Sequence, residues 1–102
     1  MKLTLMINGE EKIFVAPFIP AKYYRQMLKF DQEIDYFKMT LDDYDRLVSF
    51  VCDVFGNQFT VDEFYEGIAS HELDETLVKV FAYVRTGEVP KKDVDTKNEK
   101  GK

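Results

Sequence analysis

The chain predicts an α+β fold, mostly α: an N-terminal β-hairpin, then a bundle of about four helices, then a charged, disordered C-terminal tail. Three observations lead there. Apolar residues alternate on either side of Asn8-Gly9, they recur at helical spacing from about residue 21 to residue 86, and they almost vanish after Gly87. Residues 1–87 are therefore expected to form a single domain and 88–102 a tail.

Leu3, Leu5 and Ile7 alternate with Lys2, Thr4 and Met6, and Ile13 and Val15 alternate with Lys12 and Phe14. Asn-Gly reaches positive φ at low cost, so it closes a tight primed turn between the two strands. Two strands alone are marginal in water. The apolar face must rest on helices or pair with further strands, including those of a neighbouring copy, which makes the hairpin edge a candidate contact surface.

Pro17-Phe18-Ile19-Pro20 ends the strand, and Pro20 suits the first turn of a helix, where its missing N–H is not needed. The first helix is expected from about Ala21 to about Phe37. Tyr24, Met27, Leu28, Asp31 and Ile34 share one face, apolar except for Asp31, that should pack inward. Tyr23, Phe30 and Phe37 recur every seventh residue on an adjacent face. Those three rings either cover the core or meet another chain, and they are the candidate partner-binding residues.

Thr40-Leu41-Asp42-Asp43 offers a cap hydroxyl and first-turn acids that complement the helix dipole. Leu41, Tyr44, Leu47, Val48, Val51, Cys52 and Phe55 keep helical spacing, and Gly56 supplies a left-handed stop. Thr60-Val61-Asp62-Glu63 has the capping-box pattern, with Phe59 and Phe64 placed as a hydrophobic staple, so a short third helix should reach about Ile68. Ser70 can cap a fourth helix with the stripe Leu73, Leu77, Val80, Phe81 and Val84, ending at Thr86-Gly87. Residues 88–102 hold two apolar side chains, both valine, among many charges.

Composition narrows the function classes. With 45% hydrophobic and 15% aromatic residues in a chain of 102, one well-filled core is expected, with no room for an elaborate enclosed active site. The net charge is −5 and the cations are scattered, which argues against binding a phosphate backbone. No apolar run approaches the roughly 20 residues of a membrane span, and the start is too short and strand-like for a signal peptide. Cys52 is the one cysteine, which excludes an internal disulfide and suits a reducing cytoplasm; its spacing from Val48 and Phe55 marks a core thiol.

Chemistry-bearing motifs are missing. His71 is the single histidine, so the usual zinc patterns have no ligands. Ser49 and Ser70 lack a nucleophile elbow, and no Gly-rich phosphate loop occurs. Residues 53–64 invite comparison with a calcium loop, which fails because Phe55 and Phe64 stand where oxygen ligands are needed. No cofactor, no metal and no enzymatic activity are expected.

The strand Met1-Lys2-Leu3-Thr4-Leu5, Asn8-Gly9, the Pro17-Phe18 break and the stretch Phe55-Gly56-Asn57-Gln58-Phe59-Thr60 together resemble the tail assembly chaperones of long-tailed phages and prophages of Gram-positive bacteria. The resemblance covers roughly residues 1–87. It implies a small helical, non-catalytic protein that binds the tape measure protein in the cytoplasm of the bacterial host. There it keeps that aggregation-prone chain soluble, and it is absent from the finished virion. It also implies a longer product made by ribosomal frameshifting, whose extension recruits the tail tube protein. Lys100-Gly101-Lys102 is compatible with a slippery G-GGA-AAA run. Self-association into a homo-oligomer fits the lone hairpin and the surplus of aromatics. Two rivals stay open at this point: a small acidic inhibitor that mimics nucleic acid, and a minor structural tail protein. The mimic is the weaker, because Lys12, Lys22, Arg25, Lys29, Arg46 and Lys79 interrupt the acids.

Overall fold

Asn8 and Gly9 both take positive φ, 55° and 82°, and close a two-residue turn between β1 (Lys2–Ile7) and β2 (Glu10–Val15). The computed structural model describes residues 1–88. Four helices follow the hairpin: α1 (Ala21–Glu33), α2 (Leu41–Val54), α3 (Val61–Gly67) and α4 (Leu73–Thr86), with a 3-10 turn over Ser70–Glu72 leading into the last. The expected tail over 88–102 lies, apart from Glu88, outside the described residues.

The tight turn sets a register that differs from the strand pattern in one respect. Leu3 faces Phe14, Leu5 faces Lys12 and Ile7 faces Glu10 on the inner side. Ile13 and Val15, whose alternation marks β2 in the sequence, fall opposite Thr4 and Lys2 on the outer side with Met6. The cause is arithmetic: a two-residue loop pairs odd-numbered residues of β1 with even-numbered residues of β2. Ile13 is 63% exposed as a result. Met1 completes the ladder by exchanging both backbone bonds with Ala16, at 2.8 and 2.9 Å.

Helix α1 is one turn shorter than its apolar spacing suggests. Ile34 turns extended (φ −110°, ψ 129°), and the Asp35 carboxylate accepts from the Phe37 N–H at 3.0 Å, an Asx turn that competes with further helix. Its inward face is also displaced: Met27, Phe30 and Ile34 are buried, whereas Tyr24 and Leu28 are exposed. Pro20 sits at the N-cap, one residue before the helix proper.

Both expected caps on α2 and α3 form. Thr40 and Asp43 exchange side-chain and backbone bonds at 3.1 Å each, and Thr60 and Glu63 do the same at 3.0 and 2.9 Å. Ser70 makes no such cap; the 3-10 turn enters α4 without a side-chain acceptor, and His71 is exposed within it. Gly87 ends α4 with φ 79° and donates to the Tyr83 carbonyl at 2.7 Å.

The inner face of the hairpin lies under α3. Phe14 meets Phe59 edge-on at 4.9 Å, and Phe59 stacks near Phe64 at 6.2 Å, so the expected staple also roofs the sheet. Close approach depends on Gly67, which is buried: a Cβ there would stand 2.8 Å from the Met6 carbonyl oxygen and 3.0 Å from the Leu5 Cβ. Around this layer α2 forms the centre of the core, with Leu47, Val48, Phe50, Val51, Cys52, Val54 and Phe55 buried. Burial pushes the Cys52 thiol up to about 11, with Asp53 adding to the effect, so it stays protonated and unreactive.

Every residue of the stretch 55–60 has a structural task. Phe55 is core, and Gly56 and Asn57 take positive φ of 68° and 58° to reverse the chain. Gln58 donates its amide to the Phe55 carbonyl at 2.8 Å and to the Val15 carbonyl at 2.9 Å. Phe59 is buried beside Phe14 and Thr60 caps α3.

Candidate partner-binding surface

Helices α1, α2 and α4 meet through aromatic rings centred on Phe50, which has Tyr23 at 5.9 Å, Phe30 at 5.5 Å and Phe81 at 5.3 Å. Tyr23 and Phe30, two of the three candidate partner-binding residues, line a cleft of about 390 Å³ between α1 and α2. Phe30 is its floor, only 3% exposed, with the Arg46 guanidinium 5.2 Å above the ring. Phe37 is not brought to this cleft, because α1 ends before it; it stands 98% exposed in the linker. The cleft is polar along much of its wall, where Asp45, Arg46, Ser49 and Asp53 lie, and Arg46 is held by Glu33 across its mouth.

A larger and more apolar groove opens between α2 and α4. It encloses about 560 Å³, within the range of binding clefts. Leu47 and Leu77 form its buried floor, while Met39, Val78, Phe81 and Ala82 line the walls. Val78 is 63% exposed on the rim. This groove escapes a reading of periodicity because Val78 and Ala82 merely widen the α4 stripe; that extra width is the signal that marks it.

The walls of the groove have a direction. Tyr44 donates its hydroxyl to Asp74 at 2.7 Å, first turn to first turn, and farther along Phe50 meets Phe81. Helices α2 and α4 therefore run the same way at their contact, with both N-termini at one end. That end carries Asp42, Asp43, Asp74 and Glu75. At the other end Arg85 donates to Asp31 at 2.7 Å, and Tyr36 donates to the same carboxylate at 2.8 Å. Burial alone would raise the Asp31 pKa, but the bonds from Arg85 and Tyr36 outweigh it and hold the carboxyl below its usual value. Burial and the Asp31 charge push the Tyr36 phenol well above the ordinary tyrosine range. Both tyrosines thus remain neutral donors at any physiological pH.

Among the described residues no group of three or more His, Cys, Asp or Glu is placed to hold a metal ion, and no helix is long and apolar enough to cross a membrane. A helical domain that offers an open apolar groove, with its caps and core fully engaged in structure, belongs to the class of protein-binding modules. The chain is, more particularly, a member of the phage tail chaperone protein family, whose pattern matches residues 1–102. It is thus a non-catalytic tail chaperone, and its partners are tail proteins. No curated protein and no solved structure matches it.

Proposed function

We propose that this chaperone binds the tape measure protein and keeps it soluble while the tail assembles in the cytoplasm of a Gram-positive host, and that it is left out of the finished virion. The carrying observation is the open groove between α2 and α4, an apolar surface on a domain of net charge −5. A long helical partner has apolar stripes to bury, and an acidic carrier keeps the complex in solution. Tyr23 and Phe37 present exposed ring surface beside α1 and are secondary contacts on this reading, with Phe30 supporting them from the core.

A frameshifted longer product that recruits the tail tube protein extends the same proposal, with residues 88–102 as the linker between the two modules. Self-association through the apolar outer face of Met6, Ile13 and Val15 is a separate expectation.

The test is co-expression with the tape measure protein encoded beside this chain. Soluble tape measure protein that co-elutes with the chaperone on size exclusion supports the proposal. Insoluble tape measure protein beside a folded chaperone, in the short and the frameshifted forms alike, overturns it. The same column run on the chaperone alone gives its oligomeric state, and mass spectrometry of purified particles distinguishes a chaperone from a structural tail subunit.

A further inference from the structure

We propose that the groove between α2 and α4 seats one amphipathic helix of the partner, antiparallel to both, with lysine or arginine in its last turn at the Asp74 end. This deepens the chaperone reading and rests on it for the identity of the partner.

The dimensions fit a helix. Asp74 and Arg85 mark the two ends of the groove on α4, eleven residues apart, which is about 16 Å along the axis at the usual rise. That is three turns, the length over which anchors at i, i+3 or i+4, and i+7 enter an apolar groove. Leu47, Leu77 and Phe81 supply the floor those anchors need.

Charge then sets the direction. The N-termini of α2 and α4 share one end, so the positive ends of two helix dipoles lie together there. An antiparallel third helix brings its negative C-terminus to that end, whereas a parallel one sets like ends side by side. Lysine or arginine in the last turn of the docked helix meets Asp42, Asp43 and Asp74, and acids in its first turn meet Arg85, which uses one donor atom on Asp31 and has others to offer. The chain's own residues 89–102 are a poor occupant, since Val89 and Val94 are their only apolar side chains. A second copy is disfavoured too, because it brings another net charge of −5 to the acidic end.

Two synthetic peptides of about 14 residues, roughly four turns, test this with the full-length chain. Both carry the same leucine stripe; one has glutamates in its first turn and lysines in its last, and the other has these exchanged. Fluorescence anisotropy should show the first binding about fivefold tighter, the scale of two exposed charge pairs. A nitroxide on the last residue of that peptide should broaden the Asp74 amide resonance more than that of Arg85. Val78→Asp, at a rim position that the fold does not need, should weaken binding at least about tenfold. Equal affinities, broadening at Arg85, or indifference to Val78→Asp would each overturn the assignment. So would a dimer that Val78→Asp dissociates without peptide, which shows a second copy in the groove, or tighter binding once Val89 and Val94 are both replaced by aspartate, which shows the tail there. The two readings fail separately: a wild-type chain that cannot solubilise the tape measure protein sinks the partner, and a Val78→Asp chain that solubilises it as well as wild type sinks the groove.

Discussion

The Gln58 side chain reaches across 43 residues of sequence to donate to the Val15 carbonyl, while the same amide nitrogen bonds Phe55. One side chain thereby ties the α2–α3 reversal to the last residue of β2. Replacing Gln58 with alanine removes both bonds at a partly exposed site and should destabilise the domain by about 1 kcal/mol. Urea titration followed by circular dichroism reads this as a lower midpoint with an unchanged slope.

Gly67 lets α3 lie directly on β1. Alanine there must push against backbone, the Met6 carbonyl, and not against a flexible side-chain tip. The expected loss is about 1–3 kcal/mol, the cost of overpacking. Hydrogen exchange should show the hairpin amides opening more readily in Gly67→Ala than in the wild type; unchanged protection would mean that α3 and the sheet are not in close contact.

Phe30 and Phe37 share a heptad spacing and have opposite fates. Phe30→Ala empties a position surrounded by Phe50, Phe81 and the Arg46 guanidinium, and should cost about 3–5 kcal/mol. Phe37→Ser should stay within about 0.5 kcal/mol of wild type, as exposed substitutions do. Phe30→Asp is accordingly expected to unfold the chain and so cannot probe binding, whereas Phe37→Ser can. Comparable melting temperatures for the two single variants would contradict the burial described.

The Asp31 carboxylate, with its pKa held below the unfolded value of 3.8, contributes stability that is present above pH 4 and is lost as pH falls through the folded value. Arg85 stays charged throughout, so the carboxylate alone governs the loss. The pair is 39% and 30% exposed, so solvent screening limits its worth to about 0.5 kcal/mol. Asp31→Asn should lower stability slightly at pH 7 and flatten the decline below pH 4. An acid limb as steep as that of the wild type would show that Asp31 has no part in it.

Legibility in the sequence followed the physics of each signal. Caps and turns are local chemistry, so Thr60 with Glu63, Asn8-Gly9 and the Gly56 stop were all readable from neighbouring letters. The end of α1 was not, because Ile34 and Phe37 continue an apolar period while the competing Asx bond of Asp35 leaves no periodic trace. Nor was the side taken by Ile13 and Val15, which the loop length decides and not the apolar pattern. The groove was hidden for a different reason: Leu77 and Val78 look alike as letters, and only the placement of α2 beside α4 makes one floor and the other rim. Residues 55–60 carry the family resemblance, and the fold explains why, since each side chain there holds the α2–α3 reversal to the sheet.

The hairpin is synthesised first and sheltered last. Its inner face waits for Phe59, Phe64 and Gly67, which leave the ribosome some forty residues after Val15, the separation that the Gln58 bond spans. During that interval a growing chain displays an unroofed pair of strands, the kind of surface that recruits stray strands from other nascent proteins. Glu10, Glu11 and Lys12 on β2 place charge along the edge for that period, so a protein that guards another chain from aggregation carries its own protection through translation in three consecutive residues.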